Sequence, residues 1–415
     1  MSHHAHTIDA GSIPRLPASS LFAKLPIIGG LVGLGALGAA LATGMGAAET
    51  RQQLWHSYLV AYLYWLSIAL GGLFFTLVQY ATRAGWSIAL RRVFENVAAT
   101  LPLFLVLFIP VILGMHDLYH HWLDHDVVAN DPILLAKAPY LNEKFFFIRA
   151  AIYFAVWIGL ALMFYRGSVA QDQTGDRTIT RRLNGLSFVG IALFALTTTF
   201  AAFDWIMSLD PHWFSTMYGV YFFAGCVVGF FAFLSVITVL MRQAGHFGRF
   251  LTEEHQHDAG KLLFAFCVFW TYISFSQYFL IWYGDMPEET IFYRLRQTAT
   301  WQPVSTFLVA GHFFVPFFFL MSRHVKRHRF GLLGGGLWIM LMHYVDLHWQ
   351  VMPNINSEAM RHHAGHGFHL HLLDGLTFVG VGGLFLAAFG MMLGRSTLVP
   401  ARDPRLAESA AFQNA

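Results

Sequence analysis

The residues of this chain with the clearest capacity for chemistry are acids and histidines set in apolar sequence. Asp204 closes an apolar run inside Phe203–Tyr218, FDWIMSLDPHWFSTMY. Helical counting puts Thr197, Asp204 and Ser208 on one face. An ionised group inside an apolar span costs about 2.5–3.5 kcal/mol on insertion scales and marks a functional position by default. Such a carboxylate must either be paired, with Arg149 the leading candidate, or exchange a proton. His343, Asp346 and Gln350 recur at i, i+3 and i+7, so an imidazole and a carboxylate share one helical face. His312, Thr271, Ser274 and Gln277 lie deeper in neighbouring apolar segments, while His56 and Asp374 sit near the ends of two others. Acids, imidazoles and hydroxyls in series are what proton movement requires, because each must take and release a proton within reach of the next. Quinol oxidation needs the same groups. Ordinary interhelical hydrogen bonding is the competing account of each residue taken singly.

Metal chemistry finds less support. Haem b needs two imidazoles at one depth, and zinc needs three or four ligands. His312 has no histidine at its depth, and His56 with His343 forms no recurring spacing. Cys226 and Cys267 are the only cysteines and no CxxCH motif occurs. The two histidine-rich stretches, HDLYHHWLDHD from His116 and HHAGHGFHLHLLD from His362, are irregular and read as solvated, proton-buffering surface. The expectation is a chain with no metal site and no firmly bound cofactor.

These groups must be positioned by membrane helices. Of 415 residues, 56% are hydrophobic and 12% charged, against about 25% charged in soluble domains. Runs of about 20 apolar residues predict ten spans, at 25–43, 54–81, 93–114, 145–165, 184–206, 212–241, 260–284, 301–321, 331–351 and 372–393. The fold expected is an all-α polytopic membrane protein, with a single membrane domain over 25–394. An even number of spans puts both termini on one side. All Lys and Arg except Arg51, Lys137, Lys144, Arg149, Arg294, Arg296 and Arg361 fall on that side, so the tails 1–24 and 395–415 are expected in the cytoplasm. Basic residues scattered among short loops argue for topology and against a nucleic-acid partner. The first span reads as a retained anchor, although GMGAAE loosely resembles a signal-peptidase site. Gly29 with Gly33, or Gly35 with Ala39, offers a small-residue face for a neighbouring helix. Pro102, Pro110 and Pro316 should kink their spans. Asp210 and Pro211 have the form of an N-cap and first residue of the sixth span, with Trp205 and Trp213 in the interfacial aromatic belt.

The stretch FDWIMSLDPHWFSTMYGVYFFAG (Phe203–Gly225), the ten-span layout and HWQVMPN (His348–Asn354) resemble the ActF-type membrane subunits of alternative complex III, the bacterial quinol:cytochrome c oxidoreductase. Those subunits are related to the polysulfide reductase/NrfD-like membrane proteins. The resemblance implies two four-helix bundles, at about 54–206 and 212–351, flanked by peripheral helices 25–43 and 372–393. It implies residence in the bacterial inner membrane. It also implies partners: a homologous NrfD-like membrane subunit, a periplasmic iron–sulfur subunit and c-type haem subunits, with a terminal oxidase as a further partner. Haem c and iron–sulfur clusters would then sit in those partners, and this chain would contribute a quinol site, a proton path or a scaffold. The residues expected to carry such a role are Asp204, Thr197, Ser208, Arg149, His56, His312, His343, Asp346 and Asp374. A secondary transporter or proton channel, and a non-catalytic assembly anchor, are the alternatives. Charge concentrated near one face argues against a transporter with a midplane site.

The charge partition generates a topology test. An Arg177→Cys variant should react with a membrane-impermeant maleimide only after permeabilisation, whereas His125→Cys should react in intact cells. The reverse pattern would overturn the assignment.

Overall fold

Backbone amides in a hydrocarbon layer must be satisfied within their own segment, so apolar runs of this length become helices. The computed structural model describes residues 13–355 and 368–414. Among them are ten helices long and apolar enough to cross a membrane, and no strand. They are α1 Leu21–Gly44, α2 Ala48–Ala81, α3 Ile88–Leu113, α4 Glu143–Thr174, α5 Arg177–Leu209, α6 Tyr218–Gln243, α7 Glu253–Gly284, α8 Gln302–Met321, α9 Arg329–Asn354 and α10 Leu372–Arg395. Polar residues set several of the starts. Ser20, Asn142 and Asp176 each accept a hydrogen bond from a first-turn amide, and Gly175 ends α4 at φ +67°.

Two helices form the axis. The most apolar stretch of α2 is 94% buried and that of α6 89%, against 17% for α1. α2 packs on α3, α5, α6, α9 and α10, while α6 packs on α2, α5, α7 and α9. α8 lies outside, against α7 and α9. The amide of Leu398 donates to the Pro14 carbonyl at 2.9 Å, so the described ends of the chain meet at one end of the helices, opposite the Phe203–Tyr218 junction.

The prolines break helices as their chemistry requires. α3 is interrupted between Ala98 and Leu101 and again at Phe108, just before Pro102 and Pro110. In α8, Pro316 has no N–H for the His312 carbonyl four residues earlier, and the turn Ala310–Phe314 widens to a π-helix. The start of α6 differs from the sequence expectation. It begins at Tyr218, and residues 210–217 are irregular, because Trp213 turns inward to stack on Phe292 at 4.2 Å and donates to the Glu289 carbonyl at 2.9 Å. Trp205 and Trp213 are therefore core residues, 1% and 2% exposed, rather than an interfacial belt. The connection between α7 and α8 folds over the junction and covers Trp213, whereas Trp205 packs among Tyr62, Phe108, Phe154 and Trp157.

The C-terminal segment is also more than a tail. It folds back across the end of α3, where Asp403 meets Arg91 at 2.5 Å with both side chains buried. Asp172 on α4 receives Arg92 at 2.5 Å and the Ala401 amide at 2.7 Å, and Ser409 donates to the Trp86 carbonyl at 2.6 Å. Arg91 and Arg92, counted from the sequence as loop charges, are buried on α3.

The outermost helix is held by backbone approach. Gly29 and Gly33 of α1 face Gly380 and Gly383 of α10, with main-chain atoms of the two helices so close that no Cβ would fit at Gly29, Gly33 or Gly383. Gly35, the other candidate for a contact face, has no neighbour. Gly383→Val should force the helices apart and cost roughly 1–3 kcal/mol, the range for overpacking, while Gly35→Val should change little. Thermal unfolding of the two variants in detergent checks this.

Candidate functional site

Two buried acidic clusters lie between the axis and the junction end, and they differ in what meets the carboxylate. In the first, Asp204 near the end of α5 takes Arg149 of α4 in two bonds, Nε to Oδ2 at 2.7 Å and Nη2 to Oδ1 at 3.0 Å. Tyr153, one turn beyond Arg149, donates to Oδ2 at 2.7 Å. The guanidinium also donates to the Tyr140 carbonyl at 2.8 Å and lies over the rings of Tyr140 and Phe145. The bidentate pairing, with both partners desolvated, clamps the Asp204 carboxyl to the guanidinium. The expected extension of this cluster along α5 is not made. Thr197 accepts from Trp157 Nε1 at 2.9 Å and donates to the Leu193 carbonyl, and Ser208 donates to the backbone carbonyl of Asp204 rather than to its carboxylate.

The second cluster lies among α6, α7, α8 and α9. Asp346 accepts from the hydroxyl of Tyr221 and from Trp270 Nε1 at 3.1 Å, and is 1% exposed. Among the described residues no lysine or arginine bonds to it. One turn deeper, His343 Nε2 lies 2.7 Å from the Ser67 hydroxyl of α2, its ring is tilted over Tyr64, and its Nδ1 is buried without a partner. Gly225 and Gly229 of α6 make room for this imidazole. A Cβ at Gly225 would sit 3.1 Å from His343 Cε1 and 4.0 Å from Asp346 Oδ2, so that glycine leaves the space between acid and imidazole open. His312, in the widened turn of α8, is fully buried with its ring centroid 3.7 Å from that of Trp270 and neither ring nitrogen partnered. Buried nitrogens of this kind are costly unless a water or a ligand takes them.

Polar groups lead from Asp346 toward the junction. Tyr218 donates to Gln350 Oε1 at 3.0 Å, one turn beyond Asp346. Arg296, in the connection before α8, donates to the carbonyls of Trp349, Gln350 and Phe292, and its burial lowers the guanidinium to about 10. It caps the carbonyl end of α9, where a cation is favoured. Ser215 of the junction donates to Gln277 Oε1 at 3.1 Å, and Gln277 donates to the Tyr293 hydroxyl at 3.1 Å. At the surface of the junction His212 Nε2 lies 2.5 Å from Asp131, and that bond holds Asp131 below the ordinary carboxylate range.

The remaining candidates lie apart from both clusters. Asp374 accepts from Ser57 at 2.5 Å and from Gln53 at 3.3 Å, with the unpartnered Nε2 of His348 3.8 Å away. His56 is buried and its Nδ1 meets the Gln52 carbonyl of its own helix at 2.8 Å. Thr271 and Ser274 donate to carbonyls of α7. Of the second histidine-rich stretch, residues 362–367 lie outside the described residues. Among those described, no group of His, Cys, Asp or Glu has the arrangement of a metal site. Tyr221, Trp270, Ser67, Tyr153 and His348 were not singled out from the sequence. For Tyr221 a signal existed, since it repeats Tyr218 at i+3 on a helix whose other face is apolar.

Removing one partner of a buried ion pair leaves an uncompensated charge, at a cost of roughly 3–5 kcal/mol. Asp204→Asn should lower the thermal stability of the protein by an amount in that range, and Arg149→Met combined with Asp204→Leu should recover much of it. No protein-family model matches the chain and no curated protein matches it, so the reading of these clusters rests on their geometry.

Proposed function

We propose that this chain is the proton-conducting membrane subunit of a quinol-oxidising respiratory assembly of the alternative complex III type, with Asp346, His343 and His312 as the proton-carrying groups. The observation that carries the reading is the setting of Asp346: a fully buried carboxylate that meets only neutral donors, beside two imidazoles with unpartnered nitrogens. Asp204, by contrast, is clamped by Arg149 in two bonds. A carboxylate without a counter-ion in a desolvated site takes up a proton at modest cost, and this is the property a relay needs. His343 then passes the proton between Asp346 and Ser67 by rotating or by using its second nitrogen. The junction, through Ser215, Gln277, Tyr218 and Gln350, lies at the end where protons would enter or leave. Asp204 and Arg149 brace the junction in this scheme.

The assembly part of the proposal is supported by the likeness of Phe203–Gly225 and His348–Asn354 to that family. Electrons would pass through haem c and iron–sulfur clusters of partner subunits, with quinol bound in this chain or in a homologous membrane partner. The lipid-embedded helices and the charge partition favour an inner-membrane location with both termini in the cytoplasm.

Asp346→Asn keeps an acceptor for Tyr221 but removes the exchangeable proton. In the purified native assembly it should leave haem content unchanged and lower proton movement per assembled complex by about 10²-fold, the lower end of the range for a positioned acid–base group. Wild-type proton movement in that variant would sink the relay, and a chain that purifies alone without haem absorbance would sink the assembly.

A further inference from the structure

The junction end carries an opening that the relay does not use. A cavity of about 290 Å³ lies between the last turn of α7 and the short helix Pro287–Leu295, lined by Tyr278, Trp282, Asp285, Thr290, Tyr293 and Arg294. Its position at the end of a span puts it at the level of lipid head groups. Trp282, Tyr283 and Met286 are exposed beside it, as residues of an interfacial belt are. The floor is Tyr293, whose hydroxyl is held by Gln277.

The two charged side chains of the lining have opposite signs, and among the described residues neither forms an ion pair or a side-chain hydrogen bond. Asp285 takes a left-handed backbone at φ +45°, which places it at the turn between α7 and the short helix. A ligand that satisfies both must carry an anionic and a cationic group a few bonds apart. An anionic lipid would meet Arg294 and be repelled by Asp285, and an uncharged ring would satisfy neither. The cavity is at the small end of ligand pockets, which run from roughly 300 Å³ upward, so it suits a head group rather than a large cofactor. Aromatic walls from Tyr278 and Trp282 add a favourable surface for an ammonium.

We propose that this cavity binds the head group of a zwitterionic phospholipid, with the phosphate on Arg294 and the ammonium on Asp285 between Tyr278 and Trp282. The acyl chains then run down the exposed apolar face of α7, where Phe275, Phe279 and Leu280 face outward. Such a lipid would close the membrane-facing side of the connection that covers Trp213.

Full-length protein in detergent can be offered equal amounts of phosphatidylethanolamine and phosphatidylglycerol with the same acyl chains, and the retained lipid read by native mass spectrometry. The wild-type protein should retain phosphatidylethanolamine over phosphatidylglycerol by about tenfold, the discrimination of one charge-assisted contact. Asp285→Asn should bring the ratio close to one, whereas Arg294→Gln, which loses a phosphate contact common to both lipids, should lower the retention of both. Both side chains are exposed, so thermal unfolding should be unchanged and report that the fold is intact. Equal retention of the two lipids by the wild type, or an unchanged preference in the double variant, would overturn the proposal. Displacement of the lipid by an equal concentration of soluble glycerophosphoethanolamine would overturn the lipid assignment, since it would show that the head group alone suffices.

Discussion

A charge inside an apolar helix bundle persists only where a neighbouring helix meets it, and the arrangement of this protein follows from how each buried charge is met. Arg149 with Asp204 joins α4 to α5, Arg92 with Asp172 joins α3 to α4, and Arg91 with Asp403 ties the C-terminal segment to α3. Arg296 is met by the Trp349 and Gln350 carbonyls at the end of α9 and by the Phe292 carbonyl of its own segment. Phe292 aside, the partner in each case comes from a different part of the chain, so the pairs act as registration points between elements whose apolar surfaces could slide. Asp346 is met by a phenol and an indole, and Asp374 by a serine hydroxyl and a glutamine amide. Partner chemistry, rather than depth or residue type, is what distinguishes these carboxylates from those clamped by arginine.

The geometry around Asp346 depends on residues that lack something. Pro316 lacks an N–H, and the turn before it widens and turns the His312 ring onto Trp270. Gly225 and Gly229 lack side chains, and His343 occupies the space beside α6 that they leave. A relay inside a close-packed protein needs such gaps, since interiors otherwise leave no room for a ring to turn or a water to pass. The same device is used structurally on the other side, where glycines let α1 and α10 approach.

The two ends of the helices are closed in different ways. At the junction end, the connection between α7 and α8 covers Trp213 and leaves a cavity at its membrane edge. At the opposite end, Leu398, Val399 and Leu406 are buried under a segment whose composition is that of a polar tail. Both closures bury indoles or ion pairs that helix-by-helix counting places at an interface or in a loop.

The sequence by itself determined that ten helices form and about where each lies, because an apolar run of sufficient length in lipid has one way to satisfy its backbone. It also determined where the helices break, since proline acts on its own turn, and that α1 carries a face of glycines needing a neighbour. The candidate pairing of Arg149 with Asp204 was legible from charge economy alone: a buried acid needs a cation, and few are near. What only the tertiary structure decided is which groups stand around each acid. Thr197 and Ser208 share a face with Asp204 in sequence, yet their hydroxyls are taken by Trp157 and by backbone carbonyls. Tyr221 and Trp270 lie 125 and 76 residues from Asp346 and become its partners through the packing of α6 and α7 on α9. Periodicity reports the faces of one helix at a time, whereas the state of a buried carboxylate is set by side chains on others, and that information exists only once the helices are packed.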